Sequence, residues 1–125
     1  MALNFDFSGV MSVTDPNTGL TTLEKTISAA FQGQINTLAE SITVTTSPST
    51  ISLPISPTQI VYIKNNSTTF QTTVTWTRNG GASASVVVLQ PGAFIMLMET
   101  DTTSGITALS FVATGSSLVE YILAG

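Results

Sequence analysis

The chain contains no cysteine and no histidine. The first absence excludes disulfides, thiol nucleophiles and cysteine-ligated metal sites. The second removes the commonest general base and, with it, the usual Ser–His and Cys–His pairs. Charge is scarce too: Asp, Glu, Lys and Arg make up 8% of the 125 residues, against about a quarter in an average globular domain. Only Lys25, Lys64 and Arg78 are basic, and the net charge is −4. Gripping phosphates takes clustered cations that displace counterions, so nucleic acid is not an expected partner. The opening MALNFDFSG has neither a basic start nor an apolar run. No apolar stretch reaches the roughly 18 residues that a membrane helix needs. Neither a secretory signal nor a membrane span is expected.

What the chain does contain is hydroxyls and short apolar runs. Hydrophobic residues make up 42%, and 37 residues are Ser or Thr. The polar surface is therefore mostly uncharged and lacks the repulsion that keeps diffusing monomers apart. Abundant Thr also favours strands. The length suits one domain that buries a continuous core without covalent staples.

Residues 1–19 read as an amino-terminal arm or first strand. Phe5 and Phe7 alternate with polar residues, Val10, Met11 and Val13 follow, and Asp15-Pro16-Asn17-Thr18-Gly19 is a strong turn signal. Residues 20–38 carry two periods at once. Leu20, Leu23, Ile27, Phe31, Ile35 and Leu38 fit one face of a helix, while Ile27, Ala29, Phe31 and Ile35 fit a strand. Gly33 weakens a helix interior by roughly 1 kcal/mol. The strand is favoured over 26–35, and the helix stays open.

From residue 40 the pattern is that of short strands. Ile42 and Val44 alternate with hydroxyls, as do Ile51, Leu53 and Ile55, where Pro54 and Pro57 indicate an edge or bulged strand. Gln59–Lys64 and Phe70–Thr77 follow, the latter with Phe70, Thr72, Val74 and Trp76 on one face. Arg78-Asn79-Gly80-Gly81 predicts a hairpin loop. Val86–Leu89 and Phe94–Met98 flank Gln90-Pro91-Gly92-Ala93, a tetrapeptide suited to a type II turn, and read as neighbouring strands. Both runs are apolar on both faces, so a second face needs covering. Ile106–Ala113 and Leu118–Leu123 complete the count. Eight to ten short antiparallel strands at this spacing predict an all-β fold, a β-sandwich or jelly roll over 20–125.

Candidate chemistry is thin. Glu99 and Asp101 are the only close acidic pair and lack the ligand density of a calcium loop. Asn65-Asn66-Ser67-Thr68 holds two overlapping glycosylation patterns, but these residues are also ordinary turn formers. No catalytic, cofactor-binding or metal-ligating residues are assigned, and no cofactor is expected. The candidate contact residues are Phe5 and Phe7 on the arm, Trp76 and Arg78, which share a strand face, and Phe94, Met96 and Met98 after the Pro-Gly turn. Trp and Arg are frequent binding anchors. A carbohydrate- or receptor-binding sandwich is the rival of a different class, with Tyr62, Trp76 and Tyr121 as its only Tyr and Trp platforms.

Over residues 60–125 the segments IVYIKNNS, VTWTRNGG, VVVLQPGAFIMLMET and GITALSFVATGSSLVEYILAG resemble small β-rich structural proteins of tailed bacteriophages. The likeness is one of texture: an Asn-rich turn, a Pro-Gly turn between strands and a terminal hairpin. It implies a non-enzymatic virion protein, foremost a capsid decoration or cement protein that bridges major capsid subunits. A tail, connector or fibre component is the alternative. Its implied partners are copies of itself and the major capsid or other virion proteins, and its implied location is the virion.

Overall fold

A computed structural model describes residues 5–31, 36–78, 83–99 and 105–125, without the side chains of 5–7, 22–23 and 27–31. The ten strands are β1 (Phe5–Thr14), β2 (Thr21–Phe31), β3 (Thr37–Val44), β4 (Ser49–Thr50), β5 (Ile60–Asn65), β6 (Thr72–Arg78), β7 (Ser85–Leu89), β8 (Phe94–Met98), β9 (Ile106–Ala113) and β10 (Ser117–Ala124). Among the described residues there is no helix. The period-two reading of 26–31 is thereby upheld against the helical one. Positions 32–35 lie outside the described residues.

The chain divides into two units, 1–35 and 36–125. The first is an antiparallel ribbon in which β1 pairs only with β2, Phe5 opposite Phe31 and Val13 opposite Leu23. Its turn is closed locally. Gly19 N–H donates to Asp15 O at 2.8 Å, Asp15 N–H to Leu20 O at 2.9 Å, and Asn17 N–H to the Asp15 carboxylate at 2.8 Å. Gly19 takes φ +72°, a conformation disfavoured for residues with a Cβ. The sequence placed the boundary of the sandwich at 19/20. It falls at 35/36 instead, because 21–31 finds its hydrogen-bond partner in 5–14.

The second unit is a two-sheet sandwich with strand orders β3-β10-β5-β8 and β4-β9-β6-β7. All pairs are antiparallel. The pairs β6·β7, β5·β8, β4·β9 and β3·β10 nest inside one another. The chain is thus one long double-stranded ribbon, folded back at the β6–β7 connection and wrapped across two sheets. That is a jelly roll.

This wrapping corrects two expectations. Val86–Leu89 and Phe94–Met98 are not neighbours: β7 pairs with β6 in one sheet and β8 with β5 in the other. Likewise β9 and β10 belong to opposite sheets and form no terminal hairpin. Of the connections between the eight strands, only β6–β7 joins two strands paired in the same sheet, the hairpin expected there; Asn79, Gly80 and Gly81 themselves lie outside the described residues. A third correction concerns Ile51–Ser56. It is not a strand, although Ile51 and Ile55 are buried and anchor the segment in the core.

Alternation explains the core. Val61 and Ile63 on β5, Val119, Tyr121 and Leu123 on β10, Leu109 and Phe111 on β9 and Val74 on β6 all point between the sheets and are buried. Each such side chain contributes on the order of 2 kcal/mol by leaving water. Phe111 and Tyr121 meet edge-on across the sheets, centroids 5.9 Å apart. At the far end, Gly105 runs against the Thr58 main chain. Ile106 N–H donates to Thr58 O at 2.8 Å, and a Cβ on Gly105 would lie 2.2 Å from that oxygen. Only glycine fits there.

Asn65 ends β5 inside the protein and ties three segments together. Its side-chain amide donates to Phe70 O (2.8 Å), Leu89 O (3.1 Å) and Gln90 O (3.3 Å), and its Oδ1 accepts from Ser67 N–H at 3.1 Å. Its main chain bonds Ala93 and Gly92, both at 2.9 Å. Ala93 N–H donates to Gln90 O at 3.0 Å and Gly92 has φ +79°, the geometry of the type II turn that Pro91-Gly92 predicts.

Candidate interaction surface

The outer face of the β3-β10-β5-β8 sheet is set by the same alternation. Since Val61, Ile63, Ile95 and Leu97 face inward, Tyr62, Lys64, Phe94, Met96 and Met98 face outward. Register then places them in rows: Met96 beside Tyr62 and Ile122, and Phe94 beside Lys64 and Glu120. The Tyr62 and Phe94 rings lie 5.9 Å apart, tilted by 35°. Phe94 is 58% exposed and Met98 40%. The result is an apolar strip along the last strand of the sheet, bordered by one oppositely charged pair, Lys64 and Glu120, that faces across β5 and β10.

Three of the seven candidate contact residues, Phe94, Met96 and Met98, therefore share one outward face. Trp76 does not join them. It sits half-buried on the inner side of β6, packed on the core. Arg78, expected to share a strand face with Trp76, follows a register shift after Thr77 and places its Nη1 3.4 Å from Glu99 Oε2. That ion pair links the end of β6 to the residue after β8, joining the two sheets with an exposed guanidinium, and contributes at most about 1 kcal/mol. Phe5 and Phe7 lie on β1, opposite Phe31 and Ala29. Their side chains are outside the described ones.

Further apolar groups are exposed outside the candidate contact set. On the ribbon, Val10 is 61% and Met11 64% exposed, and these neighbours point to opposite faces; Val13 and Leu20 are exposed too. Leu118 and Val88 are exposed on the two sheets of the sandwich. The signal that could have found them is period-two alternation, once the inward set is known.

The remaining polar features are structural. The Tyr121 hydroxyl donates to Glu40 Oε2 at 2.7 Å. Burial, and then that carboxylate, push the phenol up to about 12. A shallow depression of about 280 Å³ lies there, lined by 39–41 and 120–122. Asn65 is fully buried, so the first glycosylation pattern cannot be modified in the folded protein. Among the described residues no three Asp or Glu side chains come together as a metal site. Glu99 is engaged by Arg78, and Asp101 lies outside the described residues.

Comparison with protein-family profiles, with curated proteins and with solved structures returned no match.

Proposed function

We propose that the protein is a non-enzymatic structural subunit of a virion, of the capsid decoration or cement type, that holds neighbouring capsid subunits together. The observation that carries this reading is the ribbon. A two-stranded hairpin is at best marginally stable in water. This one nonetheless shows Val10 and Met11 to solvent on opposite faces. Such a ribbon is suited to lie between other protein surfaces. The thinly charged, hydroxyl-rich surface and the apolar strip of β8 support the same reading. The jelly roll itself does not choose, since the fold serves capsid proteins and lectins alike.

The test is uptake onto particles. Purified protein is mixed with capsids lacking it, sedimented, and located by cryo-electron microscopy. Density bridging major capsid subunits is the expected outcome, and the Val10→Glu, Met11→Glu double variant should lose uptake at least tenfold. Density on the tail or connector would move the protein to the alternative location. A stable monomer that binds neither capsids nor tails would overturn the reading.

A further inference from the structure

The jelly roll has two lateral edges, and they are built differently. On one side β3 carries Glu40, while β4 is two residues long and leads into a segment holding Pro54 and Pro57. Shortness, charge and proline are the means by which sheets discourage the addition of further strands. On the other side β7 (SVVVL) and β8 (FIMLM) have no charge, no proline and no irregularity in register.

The main-chain direction along β8 follows from its bonds. Glu99 N–H donates to Gln59 O at 2.7 Å and Asn65 N–H to Ala93 O at 2.9 Å. Between them Val61 faces Leu97 and Ile63 faces Ile95. In an antiparallel ladder, alternate residues turn their N–H and C=O toward the partner. Residues 93, 95, 97 and 99 thus face β5, and Phe94, Met96 and Met98 turn their N–H and C=O to the open side.

We propose that this edge pairs with the same edge of a second copy of the chain, antiparallel, about a twofold axis through Met96. This deepens the reading of the chain as a virion structural subunit and rests on it, taking copies of itself as the partner. Under that symmetry Met96 meets Met96 of the second copy, and Phe94 meets Met98. Each outward N–H then finds an outward C=O. The exposed side chains of Phe94 and Met98 cover one another twice, once on each side of the axis. Charge is compatible, because Lys64 and Glu120 face each other within one copy, and among the described residues no like charges are opposed in this register. Pairing with β3 of a second copy instead would bring the Glu40 carboxylate beside the apolar inner row of Ile95 and Leu97, a costly burial.

Because the chain has no cysteine, Met96→Cys carries a single thiol. Directly opposed, hydrogen-bonded residues have Cα atoms about 5.5 Å apart, inside the range of about 4.4–6.8 Å that a disulfide spans. Oxidation of the full chain should convert most of the Met96→Cys variant to a covalent dimer, while Thr43→Cys, on the outer face of β3, stays single. Met96→Lys should shift native sedimentation to the monomer. The amides of 94, 96 and 98 should exchange more slowly as concentration rises, those of 95 and 97 unchanged. If Met96→Cys cross-links only when mixed with Thr43→Cys, or not at all, the twofold pairing is wrong. Capsid uptake, measured separately, then still decides the wider reading.

Discussion

At Asp15–Gly19 and again at Gln90–Ala93 the chain turns through a proline and a glycine of positive φ. The first turn returns it to the neighbouring strand, and the second carries it to the opposite sheet. Their local geometry does not explain the difference. What does is the origin of the bonds that hold each turn. The ribbon turn is closed from within, by Asp15, Asn17, Thr18, Gly19 and Leu20. The second turn is gripped from outside by Asn65, which is 24 residues from Leu89 in sequence. A turn held by its own residues makes a hairpin. A turn held by a distant side chain can bridge layers.

The strongest way to break this contrast is to remove the anchor. Asn65→Leu keeps similar bulk but leaves the carbonyls of Phe70, Leu89 and Gln90 without that donor. At about 1–3 kcal/mol for each buried group left unsatisfied, the sandwich should lose roughly 3 kcal/mol or more. Trp76 is the only tryptophan and lies on β6, so urea unfolding followed by its fluorescence reads the sandwich and not the ribbon. An unchanged midpoint would refute the role given to Asn65.

A smaller effect distinguishes the glycines. Nothing lies within 4 Å of a Cβ placed on either Gly92 or Gly19, so alanine meets only the backbone cost of positive φ, about 1 kcal/mol. Gly92→Ala should lower the Trp76 transition by that amount. Gly19→Ala should leave it in place and instead weaken the ribbon amides in hydrogen exchange. Equal shifts from both variants would mean that the two turns belong to one cooperative unit.

Thr72→Val should do less still. The Thr72 hydroxyl is buried at the start of β6 with no hydrogen-bond partner. Replacing it with a methyl removes an uncompensated polar group, so the midpoint should stay put or rise, by about 1 kcal/mol at most. A clear loss would reveal a partner for that oxygen.

The mildest test is pH. Asp15 is held below its ordinary 3.8 by the Asn17 N–H and then by the Thr18 hydroxyl. Its contribution to the ribbon turn is therefore complete above 3.8 and disappears as pH falls through the lower folded value. The Asn17 amide resonance should move over that range, while the amides of Gly92 and Ala93 remain still.

Much of this architecture was legible in the residues. The all-β class, the strand spacing, the β6–β7 hairpin and the type II turn at Pro91-Gly92 all follow from local chemistry. The pairing of β7 and β8 did not, because turn residues fix the path of four positions and leave open which sheet receives the next strand. Asn65 reads as a turn former from its neighbours, and its other bonds depend on segments 24 and 25 residues away. The doubly apolar runs imply a second cover. In the structure Val87 and Leu89, and Ile95 and Leu97, face the core, while Val86, Val88, Phe94 and Met98 are exposed. Period-two alternation separates these sets only when the inward set is known. Of the candidate contacts, Phe94, Met96 and Met98 could be grouped from spacing alone. Trp76 alternates in phase with Val74, so its place against the core is legible from spacing, and its role as a contact anchor is the reading that fails.

The nested pairing of strands also constrains the order in which the chain can complete itself as it is made. β3 has no hydrogen-bonded neighbour in its sheet except β10, and β5 reaches β3 only through it. The central strand of that sheet is thus the last of the ten to be synthesised. Until residues 117–124 appear, β3 stands unpaired and β5 has only β8 beside it. During that interval the nascent chain presents bare strand edges to whatever surrounds it, the kind of exposed surface through which incomplete chains aggregate.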